Sequence, residues 1–454
     1  MEHWNAGIVV NLLVVAVLLA LAAGLRNRIG PLRRLGIPDC IVAGAIGLTL
    51  GPSAADVLPV SVPDLELLVY HGFALVFIAV GLQRTSPGAR PGGARSVAVA
   101  IPTIAVLQVT LGLIVVAVWQ LWGGLHPGFG LLPMLGFSQG PGQALSLGGA
   151  WEELGLTDGM QLGLTFSAAG FATCIVLGIP VVAYARRAGW LAPKTEPEPE
   201  AHAASAAATD DAQGTMDPLS ASVVAIGVVY AAVFGFISLL VWVLPAGSSL
   251  IPTAWGFHFV VGALFAMALR RAARATQTER IFHDRLLGRL AVLAVDFTTT
   301  AALCAVELSV AGRWWLPVLV ISLTIGGLTL LTCLWLARRA FPQEPFEHAI
   351  MMFGMATGTL PTGLALLRIV DPQLQGTVAR NATLGVSGSI PLTAPLMIGV
   401  LPFATSLWTE SVTVAVGIPL AIMAVYAIAV GLAWRSMTPA RALRPWSSLW
   451  PPDP

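Results

Sequence analysis

Charge is what this sequence has least of: Asp, Glu, Lys and Arg together make up 10% of it, against about 25% in an ordinary soluble domain. A chain so poor in charge, 56% hydrophobic and with a mean hydropathy of +0.81, has too little polar surface to cover a water-soluble fold of its size. The formal net charge is only +1, and the arginines stand singly or in pairs between apolar runs. No basic face is therefore on offer to a nucleic acid. Cysteine is equally scarce. Cys40, Cys174, Cys304 and Cys333 are scattered through apolar runs without paired spacing, which indicates neither a disulfide framework nor a zinc site. His-Glu-x-x-His and the P-loop are both missing, so an intramembrane zinc protease and an ATP-driven pump lack their motifs. Residues Gly136 to Gly140 do spell Gly-x-Ser-x-Gly, but a nucleophile elbow needs a preceding strand and a histidine base. Neither is evident; no enzyme activity is expected and no cofactor is indicated.

What the sequence has in abundance is long apolar runs. They fall near residues 7–25, 37–51, 67–83, 96–122, 160–185, 218–244, 252–269, 290–309, 314–337, 383–407 and 412–434. Crossing a hydrocarbon layer of roughly 30 Å takes about 20 residues of helix. The runs are continuous and lack the period-two alternation of barrel strands, so the expected fold class is an all-α membrane protein. The first run is preceded by Glu2 and followed by Arg26 and Arg28, the reverse of a signal peptide's charge order, and reads as a retained helix. Residues Lys194 to Met216 are rich in Glu, Pro, Ala and Asp with almost no bulky apolar residue; with their flanks, 188–217, they read as a disordered linker between a first repeat, 1–187, and a second, 218–454.

Two further apolar stretches, 129–155 and 346–370, are broken by glycine and proline. If each re-enters on its own side and the N-terminus is outside, the basic residues sort cleanly. Four fall in 26–34, three in 84–95, three in 186–194, six in 270–289, two at 338–339 and three in 435–444, so 21 of 24 would be cytoplasmic. That is the positive-inside pattern, with the C-terminus and the linker cytoplasmic. Only Arg313 falls outside, while Arg368 and Arg380 flank the second broken stretch. The same topology makes the second repeat, which carries one extra final helix, run opposite to the first. A shift of 218 places Gly136 on Gly354, Gly140 on Gly358, Thr165 on Thr383 and Gly170 on Gly388, and a shift of 214 places Ile37-Pro38 on Ile251-Pro252.

The broken stretches are where chemistry is expected, because unpaired backbone at membrane depth is tolerated only beside protein or a water-filled cavity. The first runs Gly136-Phe137-Ser138-Gln139-Gly140-Pro141-Gly142-Gln143; the second runs Gly354-Met355-Ala356-Thr357-Gly358-Thr359-Leu360-Pro361-Thr362-Gly363. Exposed amides can hold an anion, and freed carbonyls and hydroxyls can hold sodium. The alternative is a pair of kinks that only tighten helix packing.

The second stretch, with its Thr-Gly-Thr-Leu-Pro-Thr core, resembles the sodium/glutamate symporters of bacterial inner membranes, as do Gly36-Ile37-Pro38, Ala301 to Glu307 and Leu316-Pro317-Val318-Leu319-Val320-Ile321. The resemblance implies two inverted repeats with re-entrant hairpins, a mobile transport unit and a scaffold that forms a homodimer. In the first hairpin this chain departs, with Ser138, Gln139, Pro141 and Gln143 where glutamate carriers have a glycine-flanked histidine and threonine.

The expected function is secondary active transport, a sodium-coupled symport of a small organic anion such as glutamate or a related carboxylate; an ion channel or a permease for a different solute is the alternative. Expected substrate-binding residues are Ser138, Gln139, Gly140, Gln143, Thr359, Thr362, Arg380 and Asn381, and expected sodium ligands are Thr357, Thr359 and Asp296. Arg380 either pairs a substrate carboxylate or snorkels to the membrane surface. Asp296 either ligates an ion beside Thr298 to Thr300 or lies near the helix boundary. Arg368 and Asp371, three apart, are expected to pair with each other. His71 and His258 read as hydrogen-bonded structural histidines, and Trp314, Trp315, Trp408 and Trp434 as an interfacial belt.

Overall fold

The computed structural model describes residues 7–30, 37–83, 92–191, 216–245, 248, 250–372, 374, 376–437 and 450; most of the expected linker, 192–215, lies outside them. Every regular element among the described residues is helical, and nine helices are long and apolar enough to cross a membrane. The chain is an all-α, multi-pass membrane protein. In order the helices are α1 (Gly7–Arg28), α2 (Asp39–Leu50), α3 (Val62–Gly81), α4 (Gly92–Trp119), α5 (Gly128–Met134), α6 (Pro141–Glu152), α7 (Gly159–Arg187), α8 (Pro218–Val243), α9 (Leu250–Gly256), α10 (His258–Ala275), α11 (Asp284–Cys304), α12 (Leu308–Arg313), α13 (Trp315–Ala340), α14 (Pro345–Ala356), α15 (Leu360–Val370), α16 (Val378–Ala394), α17 (Leu401–Ser406) and α18 (Val412–Met437).

Local signals set several helix starts. Asp217 accepts the N–H groups of Leu219 and Ser220 at 3.0 and 3.1 Å, with Pro218 opening α8, so the first orphan amides are satisfied. Ser61 does the same for α3 by accepting the Asp64 N–H at 3.3 Å. Buried Asn11 on α1 accepts the Ser61 N–H at 3.2 Å and fixes that cap against the first helix.

By packing, the helices form two groups. In one, α3 lies along α11 and α10, α2 packs on α11, and α1 and α8 cover the outside. In the other, α4 is the most enclosed of the long spans and is surrounded by α5, α13, α16 and α18, while α7 packs on α6 and α13. Helix α6 touches both groups, through α7 on one side and α3 and α9 on the other. Its approach to α7 is backbone to backbone: a Cβ on Gly148 would lie 2.2 Å from the Gly159 carbonyl oxygen, and a Cβ on Gly163 would lie 2.4 Å from that of Ala144. With no hydrophobic drive between helices in lipid, such small-residue contact is what lets them pack. All four cysteines are buried.

The structure departs from the expectations in several places. The run near 37–51 forms only the 12-residue α2, about 18 Å long and too short to span. The run near 252–269 is bent by 59° between α9 and α10. The run near 383–407 is interrupted by a π-helical segment, Pro395–Val400. Asp371 accepts the Gly376 N–H at 3.0 Å, and no Arg368–Asp371 ion pair is present among the described residues. Trp434 is not part of a belt: it is 4% exposed and its indole N–H donates to Thr103 Oγ1 at 2.8 Å, a core position. His258, by contrast, is the hydrogen-bonded histidine expected: it is buried, with Nδ1 2.9 Å from Trp255 O and Nε2 3.1 Å from Tyr70 O.

Candidate functional site

The two broken stretches fold as helix, break and helix. The first continues α5 into a π-helical turn, Leu135–Gln139, and restarts as α6 after Gly140. Gly140 takes φ 94° and ψ 168°, a region open in practice only to glycine. Pro141 then occupies N1 of α6, where its missing N–H leaves nothing unpaired. The second break falls at Thr357–Thr359 between α14 and α15, and Pro361 again lies in the first turn. Here a side chain closes the turn: Thr362 Oγ1 accepts the Thr359 N–H at 2.6 Å and stands 2.8 Å from Gly354 O.

These two breaks meet. A Cβ built on Gly140 would lie 3.1 Å from Thr359 Cγ2, so the N-cap residues of α6 and α15 touch. Gly170 of α7 lies against both breaks: its Cβ would be 2.7 Å from Thr357 O and 3.3 Å from Phe137 Cα. Gln108, fully buried midway along α4, donates to Ala356 O at 2.8 Å and to Thr329 Oγ1 at 3.2 Å. It ties the end of α14 to α4 and α13. The sequence reading did not single out Gln108, although an amide in the middle of the apolar run 96–122 was signal enough.

Two helix N-termini directed at one place offer positive dipole ends and free amides, because the first N–H groups of each helix lack helical acceptors. Gly142 and Gln143 supply such amides in α6, and Leu360 does in α15. Arg380 is exposed in the first turn of α16, and its neighbour Asn381 is bound by Nδ2 to His348 Nε2 at 3.1 Å. His348 lies nine residues before Thr357 on α14, or about 13 Å along the helix axis. The structure therefore brings Gly140 and Thr359 together, with Ser138 and Gln139 just before the first in the chain and Thr362 hydrogen-bonded to the second, and leaves Arg380 and Asn381 at the base of α14.

Two of the three expected sodium ligands, Thr357 and Asp296, are engaged with other groups. Thr357 is fully buried and donates its hydroxyl proton to Phe353 O at 2.8 Å, with the Cys174 thiol beside it. Asp296, on α11, instead faces the Cys40 thiol. Ser138 turns its hydroxyl back to Met134 O at 3.0 Å. Among the described residues no cluster of His, Cys, Asp or Glu is arranged to hold a metal ion. Beside the second break, Ile37, Pro38, Ile41, Phe171, Cys174, Ile175, Ile179, Thr362, Ala365 and Leu366 line a small cleft, whose only hydroxyl is that of Thr362.

Substitution at Arg380 tests the placement directly. Arg380→Ala should leave the apparent solute affinity in a transport assay within about twofold of wild type. A loss of tenfold, equivalent to about 1.4 kcal/mol, would put the guanidinium in the site.

Comparison with known protein families, curated proteins and solved structures finds no match to the chain.

Proposed function

We propose that this chain is a secondary active transporter, a sodium-coupled symporter of a small organic anion such as glutamate or a related carboxylate. One observation carries the reading: Gly140 and Thr359, each the N-cap of a helix restarting after a break inside an apolar segment, lie in contact. Interrupted helices whose half-helix N-termini point at a common place suit an anionic group at membrane depth. The anion's neighbours in this reading are the free amides of α6 and α15, with Ser138, Gln139, Gly140, Thr359 and Thr362 around them.

The wider architecture follows the same reading. The breaks are the tips of two re-entrant hairpins, related by the inverted repeat that the charge pattern and the shift of 218 suggest. Helices α4, α7, α13, α16 and α18 with the hairpins form the mobile unit, and the group around α3 and α11 forms the scaffold, through which two copies associate. The membrane is a bacterial inner membrane with the N-terminus outside. Alternating access then requires the α6 face that touches α3 and α9 to slide.

Uptake into proteoliposomes tests the reading. Flux of a carboxylate or amino acid should saturate with concentration and require an inward sodium gradient. Flux that rises linearly and ignores the gradient would favour a channel.

A further inference from the structure

We infer that Gln143 and Ser146 of α6 form the binding site for a monovalent cation of the sodium class, on the face of α6 that meets the bend between α9 and α10. The inference rests on the transporter reading, for which it supplies the seat of the coupling ion.

Both side chains are 3% exposed, and Gln143 Oε1 and Ser146 Oγ each lack a hydrogen-bond partner. Buried polar atoms in native proteins are paired almost without exception, and an orphaned pair points to a water or an ion. Three residues apart on one helix, the two share a face. That face is located by its other members: a Cβ on Gly256 would lie 2.8 Å from Ala150 Cβ, 3.2 Å from Leu147 Cδ2 and 3.3 Å from Ser146 O. Gly256 ends α9, and the chain bends by 59° before α10 begins at His258.

At the bend the Thr253, Trp255 and Phe257 carbonyl oxygens are already engaged, by the Phe257 N–H, by Tyr70 and His258, and by the Val260 and Val261 N–H groups. The ligands left over on this face are thus an amide oxygen and a hydroxyl. Neutral hard oxygens suit an alkali cation and not a thiolate- or imidazole-seeking metal. A proton is a poor fit for this face. The titratable groups nearest the bend are His258, Tyr70, His71 and Tyr230. They are engaged with one another and with backbone: His258 with Trp255 O and Tyr70 O, the Tyr70 hydroxyl with Trp255 O, and His71 with Tyr230. None is a carboxylate. Gln143 lies three residues past Gly140, so a cation on this face and an anion at the helix start would both act on the first turns of α6. Each would favour the other's binding, and the coupling is reciprocal.

Thermal unfolding of the full-length protein in detergent, titrated with NaCl against choline chloride at constant ionic strength, tests the site. Sodium should raise the unfolding temperature of wild type with a saturable midpoint. Ser146→Ala and Gln143→Leu should each move that midpoint up at least tenfold, Gln143→Glu should move it down, and Thr324→Val, on the exposed face of α13, should leave it alone. No sodium-specific stabilisation of wild type, or equal midpoints in wild type, Ser146→Ala and Gln143→Leu, overturns the site. Saturable solute uptake by the same proteins reads transport separately. Uptake indifferent to sodium removes the ion site and keeps the transporter; sodium binding lost in the two variants, with no saturable uptake of any solute by wild type, keeps the ion site and removes the transporter.

Discussion

Gly140→Ala is expected to reduce solute uptake at least tenfold while leaving the amount of protein in the membrane close to wild type. At φ 94° and ψ 168° an alanine pays about 1 to 3 kcal/mol of backbone strain, which a membrane protein of this size can absorb. The damage is local: the new methyl would stand 3.1 Å from Thr359 Cγ2, where the two helix N-termini touch, and would push them apart. Gly358→Ala should act in the same place by another route, since its Cβ would fall 2.3 Å from Thr362 Oγ1, the atom that holds the Thr359 N–H. Initial uptake rates normalised to membrane protein measure both. Wild-type rates in the two variants would show that the breaks serve packing alone.

Gly148→Ala should have the opposite signature, a loss of folded protein. A methyl there meets the Gly159 carbonyl oxygen at 2.2 Å, and backbone on a packed helix cannot step aside. Overpacking typically costs about 1 to 3 kcal/mol and sometimes more; a clash with backbone belongs at the upper end. Gly149→Ala, the next residue, is the control. Its Cβ would meet only the Met160 side chain, with Cε at 2.7 Å, the free end of a flexible side chain. The monodisperse fraction after detergent extraction, with the unfolding temperature, should drop sharply for the first variant and little for the second.

The two breaks were legible in the sequence because glycine and proline leave a backbone signature that side-chain packing cannot mask. The stretches expected at 129–155 and 346–370 appear as Gly128–Glu152 and Pro345–Val370. The bend at Gly256 was not read from the sequence. It lies inside the apolar run near 252–269, and Pro252 stands at the third residue of α9, where proline is compatible with a helix. At the bend Gly256 packs against Ala150 and Leu147, residues more than a hundred positions away. Distance along the chain also explains Arg380 and Asn381: adjacency to a hairpin in sequence suggested adjacency to its tip, whereas α16 begins at the hairpin's base. Asp296 and Thr357 each already have a partner, the Cys40 thiol of neighbouring α2 for the first and Phe353 O one turn back for the second. Polar residues in an apolar run find partners on their own helix or on a packed neighbour, and composition does not reveal which are left over. Gln143 and Ser146 are such leftovers, and only coordinates single them out.

The burial of the four cysteines turns the natural chain into its own blank for thiol chemistry. Water-soluble maleimides should ignore Cys40, Cys174, Cys304 and Cys333, so a single cysteine placed at Ser205 can report the sidedness of the linker without first removing the native thiols. Cys174 is then a built-in reporter. It stands beside Thr357 and on the cleft at the second break, and any motion that separates α7 from α15 would expose it. A labelling rate at Cys174 that changes with sodium or solute would time the opening of the break in an unmodified protein.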